Sequence, residues 1–219
     1  VNSKQLGDLS EVMVGLVLKR KEADPDDVQN HKYKLLTLRS FNQEGWIDKN
    51  YIDEFESSEK LDDRYLCLSD DVVIRLTQPY TAVVIDKDFE GCVVPSQFAI
   101  VRPKSKKIVS NYLSLYLNSD RVKKHITLSA TGITVPMIKT GSLRELEIPI
   151  FTLPKQNKIA DVNKLIIQER HLLYKMISEK EKFYQALTEA ILTEGKKDEW
   201  KKMDSRWSKS IIMEGMRHI

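Results

Sequence analysis

The sequence predicts an α+β protein: an irregular, β-rich domain over residues 1–153, then one long coiled-coil helix over residues 154–194. Three observations carry this. Short β-branched runs between Val12 and Val101 are punctuated by turn residues. From Lys155 to Glu194 there is neither Gly nor Pro. Within that stretch apolar residues recur with a heptad period. A basic tail, 195–219, carries Trp200, Trp207 and Ile211 but no motif.

The elements follow in order. Val12-Met13-Val14-Gly15-Leu16-Val17-Leu18 is an apolar run with a glycine break, and Lys34–Arg39 alternates weakly. Tyr65–Leu68 is short and strand-like. Asp71–Arg75 and Ala82–Ile85 are β-branched runs separated by the turn signal Gln78-Pro79-Tyr80. Cys92–Val94 and Phe98–Val101 follow, split by Pro95-Ser96. Ser110 opens a single helix to His125, with Ser110 as its cap and Tyr112, Leu113, Leu117 and Val122 at helical spacing. Residues 129–141 are a small-residue loop bounded by Gly132 and Gly141. Leu146–Ile150 is a last strand. Pro154 then sits in the first turn of the long helix, where its missing N–H costs nothing.

Composition bounds the function. Apolar residues make up 41% of the 219-residue chain, enough for a core, and charged residues 31%. The net charge of +3 announces no polyanion partner by itself. Its distribution is more informative. Residues 1–150 hold 21 Lys+Arg against 22 Asp+Glu, and residues 151–219 hold 14 against 10. Residues 22–71 are acid-rich, whereas 102–124 carries Arg102, Lys104, Lys106, Lys107, Arg121, Lys123 and Lys124 against Asp120 alone. Such a local patch suits a polyanion, and equally a solvated face. Cys67 and Cys92 sit in apolar runs and read as reduced core thiols. No apolar run approaches the ~20 residues a membrane span needs, and the expected location is the cytoplasm.

A search for catalytic chemistry finds none. The phosphate-binding glycine motifs and the serine nucleophile elbow are missing. His31, His125, His171 and His218 have no metal-ligand spacing. Thr77-Gln78-Pro79-Tyr80 resembles an amino-methyltransferase motif but lacks its leading Asn/Asp and first Pro. Glu199-Trp200-Lys201 has the shape of a nuclease half-site without its upstream partner. The expectation is a non-catalytic protein with no cofactor and no metal.

The polar clusters suit binding. Arg75, Thr77, Gln78 and Tyr80 surround a turn between strands. Arg and Gln make bidentate bonds to guanine and adenine edges, and Thr bonds a base or packs on the thymine methyl. Thr131, Thr134 and Lys139 lie in the Gly-bounded loop, where small residues let backbone approach phosphate. Lys19, Arg20 and Lys21, with Lys104, Lys106 and Lys107, are candidates for neutralising phosphates. Each is also an ordinary solvated turn when taken alone.

The order of these pieces resembles the specificity subunit of type I restriction-modification systems. Leu6-Gly7-Asp8-Leu9 is similar to that family's domain-opening L-G-[ED]-[IL]. Ser69-Asp70-Asp71-Val72-Val73-Ile74-Arg75 looks like its G-D-[IVL]-[LV]-[IVL]-x-R strand, with Asp70 where Gly is usual. Ala130–Ile138 is similar to its A-T-G loop. Leu146–Ile150, then Leu153-Pro154-Lys155-Gln156-Asn157-Lys158-Ile159-Ala160, looks like its entry into a long helix. Phe151-Thr152 here replaces the first Pro of the usual pair, and Lys155 stands where Glu is common. The resemblance spans residues 6–192. It implies a target recognition domain reading half of a bipartite DNA sequence and a spacer helix bundled with an antiparallel partner. It also implies methyltransferase subunits docked alongside, with a restriction subunit as a further possible partner.

The usual family member has two recognition domains and two spacers; this chain has one of each. Two-fold pairing of the helix would rebuild the arrangement. The dimerisation seam is expected at Ile159, Val162, Ile166, Glu169, Leu173, Met176, Lys180, Phe183 and Leu187. An antiparallel pair centred between residues 174 and 175 sets Leu173 against Met176, Ile166 against Phe183, and Glu169 against Lys180 across chains. The rival to DNA reading is a globular head on a coiled-coil stalk that assembles proteins, which the near-neutral charge of residues 1–150 favours.

Overall fold

A computed structural model describes residues 2–24, 30–104, 106–129 and 137–192. Its contacts divide into two units, 1–170 and 171–219.

The first unit is built on a four-stranded antiparallel sheet. Its strands are β2 (Ser10–Val14), β5 (Val72–Arg75), β6 (Ala82–Val84) and β7 (Phe98–Pro103), in the order β2-β7-β5-β6. Val12, Val101, Val72 and Val84 lie in one row across it, and Met13, Ile100, Val73 and Val83 in the next. Because side chains alternate across a strand, the first row joins one core and the second another. The first core adds Leu6, Leu9, Tyr112, Leu113, Leu143 and Ile148. The second adds Leu36, Phe41, Ile47, Phe89 and both cysteines. A sheet covered on both faces needs continuous β-branched runs, which is why β5 and β6 were readable as sequence.

Two smaller pairs flank it. β1 (Asn2–Gln5) pairs with β8 (Glu147–Ile150), and β3 (His31–Leu35) with β4 (Asp53–Ser57). The single turn α1 (Leu6–Leu9) links β1 to β2 and buries Leu6 and Leu9. Gly7 lies so close to Arg144 that an added Cβ would come within 3.2 Å of that side chain. Just past β2, only glycine fits at Gly15, because a Cβ there would stand 2.2 Å from the Pro95 carbonyl. The expected strands at Tyr65–Leu68 and Cys92–Val94 are only isolated bridges, among them Leu66 with Val93.

The helix expected from Ser110 to His125 is two: α2 (Ser110–Asn118) and α3 (Asp120–Ser129). Ser119 breaks it with an extended backbone, φ −65° and ψ 145°, and its hydroxyl donates to the Tyr116 carbonyl. Val109, not Ser110, occupies the cap position; the Ser110 hydroxyl donates to the Asp70 carbonyl instead, at 2.7 Å. Asn118 then closes the β6 edge, accepting from the Ala82 N–H and donating to the Ala82 carbonyl. A short α4 (Thr140–Arg144) precedes β8.

The long helix α5 (Leu153–Leu192) starts against the first core. Gln156 is fully buried. Its amide accepts from the Val109 N–H and donates to the Lys107 and Phe151 carbonyls. Ala160 and Asn163 are buried on the same face, and Arg170 pairs with Glu44 at 2.6 Å. In the second unit, 171–192 of the helix leaves Leu172, Leu173, Met176, Ile177 and Tyr184 exposed.

Candidate nucleic-acid interface

The β5 strand ends in a polar turn, and a second segment is hydrogen-bonded to it. The Ile138 N–H donates to the Leu76 carbonyl at 2.9 Å, and Thr77 bridges to Met137. This joins Arg75, Thr77 and Gln78 to Lys139 across sixty residues of sequence. The Arg75 Nε donates to the Thr77 hydroxyl at 3.1 Å, which fixes the plane of a half-buried guanidinium and leaves its terminal nitrogens to other acceptors. Gln78 and Lys139 are exposed. Pro79 and Lys123 line a neighbouring cleft of about 710 Å³, walled by Tyr112, Tyr116, Ile166 and Ile167.

Tyr80 does not belong to this rim. Its φ of +56° turns the side chain inward, and it is 2% exposed within the first core. Its expected contact with DNA is therefore replaced by packing. Lys19 and Arg20 are exposed in a short 3-10 turn after β2, while Lys21 is paired with Glu59. Lys104, Lys106 and Lys107 follow β7, at the end opposite Arg75, whose partner Phe98 opens that strand. Six residues at ~3.3 Å each put the two groups roughly 20 Å apart along the sheet. Thr131 and Thr134 lie outside the described residues.

Arg102, counted in the basic stretch, serves the fold. Its Nε and a terminal nitrogen donate to the two Asp71 carboxylate oxygens at 2.9 and 2.8 Å, and it also donates to the Leu66 carbonyl. The Asp71 carboxylate holds the guanidinium above its ordinary value. Asp71 is 1% exposed and accepts a further bond from the Leu68 N–H. The departure at Asp70 is now intelligible: its φ is +68°, the left-handed region that favours glycine and that Asp tolerates better than most residues. Burial pushes the Cys67 and Cys92 thiols up, as expected for packed, inert cysteines.

Among the seam residues, Ile159 is partly buried against the head's own core and Ile166 lines the 710 Å³ cleft. Val162, Ile166, Leu173 and Met176 are exposed, as are Glu169 and Lys180; Phe183 and Leu187 are half-buried. The first half of α5 thus spends part of its apolar stripe on its own head. Sequence reasoning missed Arg64 and Arg144, which reach a second cleft beside Lys104. Each is an isolated residue in the chain, so no spacing marks it.

At the end of β5 the head thus presents a polar rim joined by the Leu76-Thr77 and Met137-Ile138 pairing. The family described as type I restriction modification DNA specificity domain matches residues 1–173, and the chain belongs to it. Three solved structures share the fold. One is the HsdS subunit from Thermoanaerobacter tengcongensis, with a TM-score of 0.59 and 15% identity, covering 85% of this chain and 46% of that one. A second comes from work on complex assembly and conformational transition of the type I R-M system, with a TM-score of 0.57 and 20% identity over 88% and 44%. The third is the type I S subunit from M. genitalium, with a TM-score of 0.54 and 15% identity over 83% and 42%. The chain therefore spans less than half the length of these relatives. No curated protein matches.

Proposed function

We propose that the chain is a non-catalytic DNA specificity subunit that reads one half of a bipartite duplex site through the rim at Arg75, Thr77, Gln78 and Lys139. The observation that carries this is the hydrogen-bonded junction of Leu76-Thr77 with Met137-Ile138. It gathers four polar side chains on one rim. None of the rim cations is in an ion pair among the described residues. Pre-positioned, unneutralised donors suit the acceptors of a major groove.

The exposed stripe on α5 pairs with a second copy, antiparallel, and methyltransferase subunits dock alongside in the cytoplasm. Residues 1–153 act as the reading head and 154–194 as the spacer. Two identical heads then favour an interrupted palindrome. Selection of duplexes from a random pool tests this directly. Enrichment of two inverted half-sites at fixed spacing is expected; recovery of unenriched DNA contradicts it.

A further inference from the structure

The outer edge of β2 lines a cleft of about 530 Å³ that the DNA-reading rim does not use. Three cations reach it from distant parts of the chain: Arg64 from the turn at Asp63–Tyr65, Lys104 after β7, and Arg144 at the end of α4. All three are exposed, and none is in an ion pair among the described residues. Arg144 also donates to the Val12 carbonyl at 2.6 Å, which anchors its guanidinium over the strand edge. Arg64 stacks on the Tyr65 ring at 4.9 Å. The carboxylate in the wall, Glu11, stands opposite Arg102 in register.

A second observation points to a ligand. Ser10, also in the wall, is 1% exposed, and its hydroxyl has no hydrogen-bond partner among the described residues. A buried hydroxyl left without a partner is costly, and this one stands in the wall that the three cations reach. Thr140, in the same wall, directly follows rim residue Lys139 in the chain.

We propose that this cleft is a phosphate seat, with Arg64, Lys104 and Arg144 as the cations and the Ser10 hydroxyl as a donor to a phosphate oxygen. The preferred source is the DNA backbone, a preference that rests on the DNA reading above. A free phosphate group offers the same chemistry.

The full chain tests it in two arms. In the first, fluorescence anisotropy with duplex DNA is followed from 50 to 200 mM salt for the parent and for Arg64→Gln/Lys104→Gln. Both side chains are exposed, so the fold is retained. Each lost phosphate contact lowers the slope of log K against log salt by about 1, so a slope smaller by about 2 is expected, equally for every duplex sequence. In the second arm, amide shifts of Ser10, Glu11 and Lys104 are followed by NMR as inorganic phosphate is added, and Ser10→Ala should weaken any saturating response.

A changed slope supports a backbone seat. Saturating phosphate shifts without a changed slope support the seat with a small phosphate as its ligand, and this holds even if the chain binds no DNA, in which case only the DNA reading falls. An unchanged slope together with absent phosphate shifts overturns the seat, while DNA binding by the parent would leave the reading intact.

Discussion

Arg102→Ala should cost the protein about 3 kcal/mol. The magnitude follows from what remains. Arg102 supplies two bonds to a carboxylate whose side chain is 2% exposed, while its own is 22% exposed. Removing it leaves the buried Asp71 carboxylate held, among the described residues, by the Leu68 N–H, and frees the Leu66 carbonyl. Breaking one side of a buried pair costs about 3–5 kcal/mol; partial access of water on the Arg102 side places this pair at the lower end. With a urea m-value of ~2 kcal/mol/M, the midpoint should fall by about 1.5 M. The double substitution Asp71→Leu/Arg102→Met removes both charges and should cost less than Arg102→Ala alone. Urea unfolding followed by far-UV circular dichroism reads both. A loss below ~1 kcal/mol for the single variant, or a double variant worse than the single, would refute the argument that Arg102 is structural.

Other outcomes follow from the same geometry. Gln156→Ala removes one acceptor and two donors from a fully buried site and should cost about 2–4 kcal/mol in thermal or urea unfolding. Asp70→Gly relieves a left-handed backbone and should stabilise by up to ~1 kcal/mol in the same assay. The two buried thiols hold their protons in the fold above the ordinary thiol value of 9.0, so their contribution is complete below that pH. It is lost as pH rises, because the unfolded chain then releases protons the fold retains. Unfolding midpoints should fall from about pH 8.5 upward, and Cys67→Ala/Cys92→Ala should flatten that fall. Arg75→Ala should weaken binding to the selected duplex by roughly 10- to 100-fold, as for loss of one bidentate base contact, with less effect on unrelated duplexes; anisotropy titration checks it.

Much of the fold was legible because the central sheet is buried on both faces. Val72–Ile74, Ala82–Val84 and Phe98–Val101 had to be apolar runs, and they were read as strands. β1 and β4 were not, since Asn2–Gln5 is fully exposed and Asp53–Ser57 buries only Phe55 and Ser57; backbone pairing defines them, and it leaves little pattern. The break at Ser119 was hidden because Leu117 and Val122 keep the apolar period across it while both remain in one core. In the rim, Arg75, Thr77 and Gln78 were visible as a turn. Tyr80 misled because a left-handed φ, which sequence does not announce for tyrosine, points it inward. The heptad gave one continuous stripe on α5, whereas Ile159 turns toward its own head on the side of Gln156, Ala160 and Asn163, and Ile166 stays exposed at the mouth of a cleft. Arg64, Lys104 and Arg144 meet only through tertiary folding.

Competition binding is the sharpest measure of sequence-specific reading of duplex DNA. A labelled duplex recovered by selection is titrated with the full chain at 150 mM salt and challenged with its own sequence or a shuffled one. Displacement by the selected sequence is expected at concentrations at least about 1,000-fold below those of the shuffled duplex. Equal displacement by both, or no binding at any salt, would contradict it.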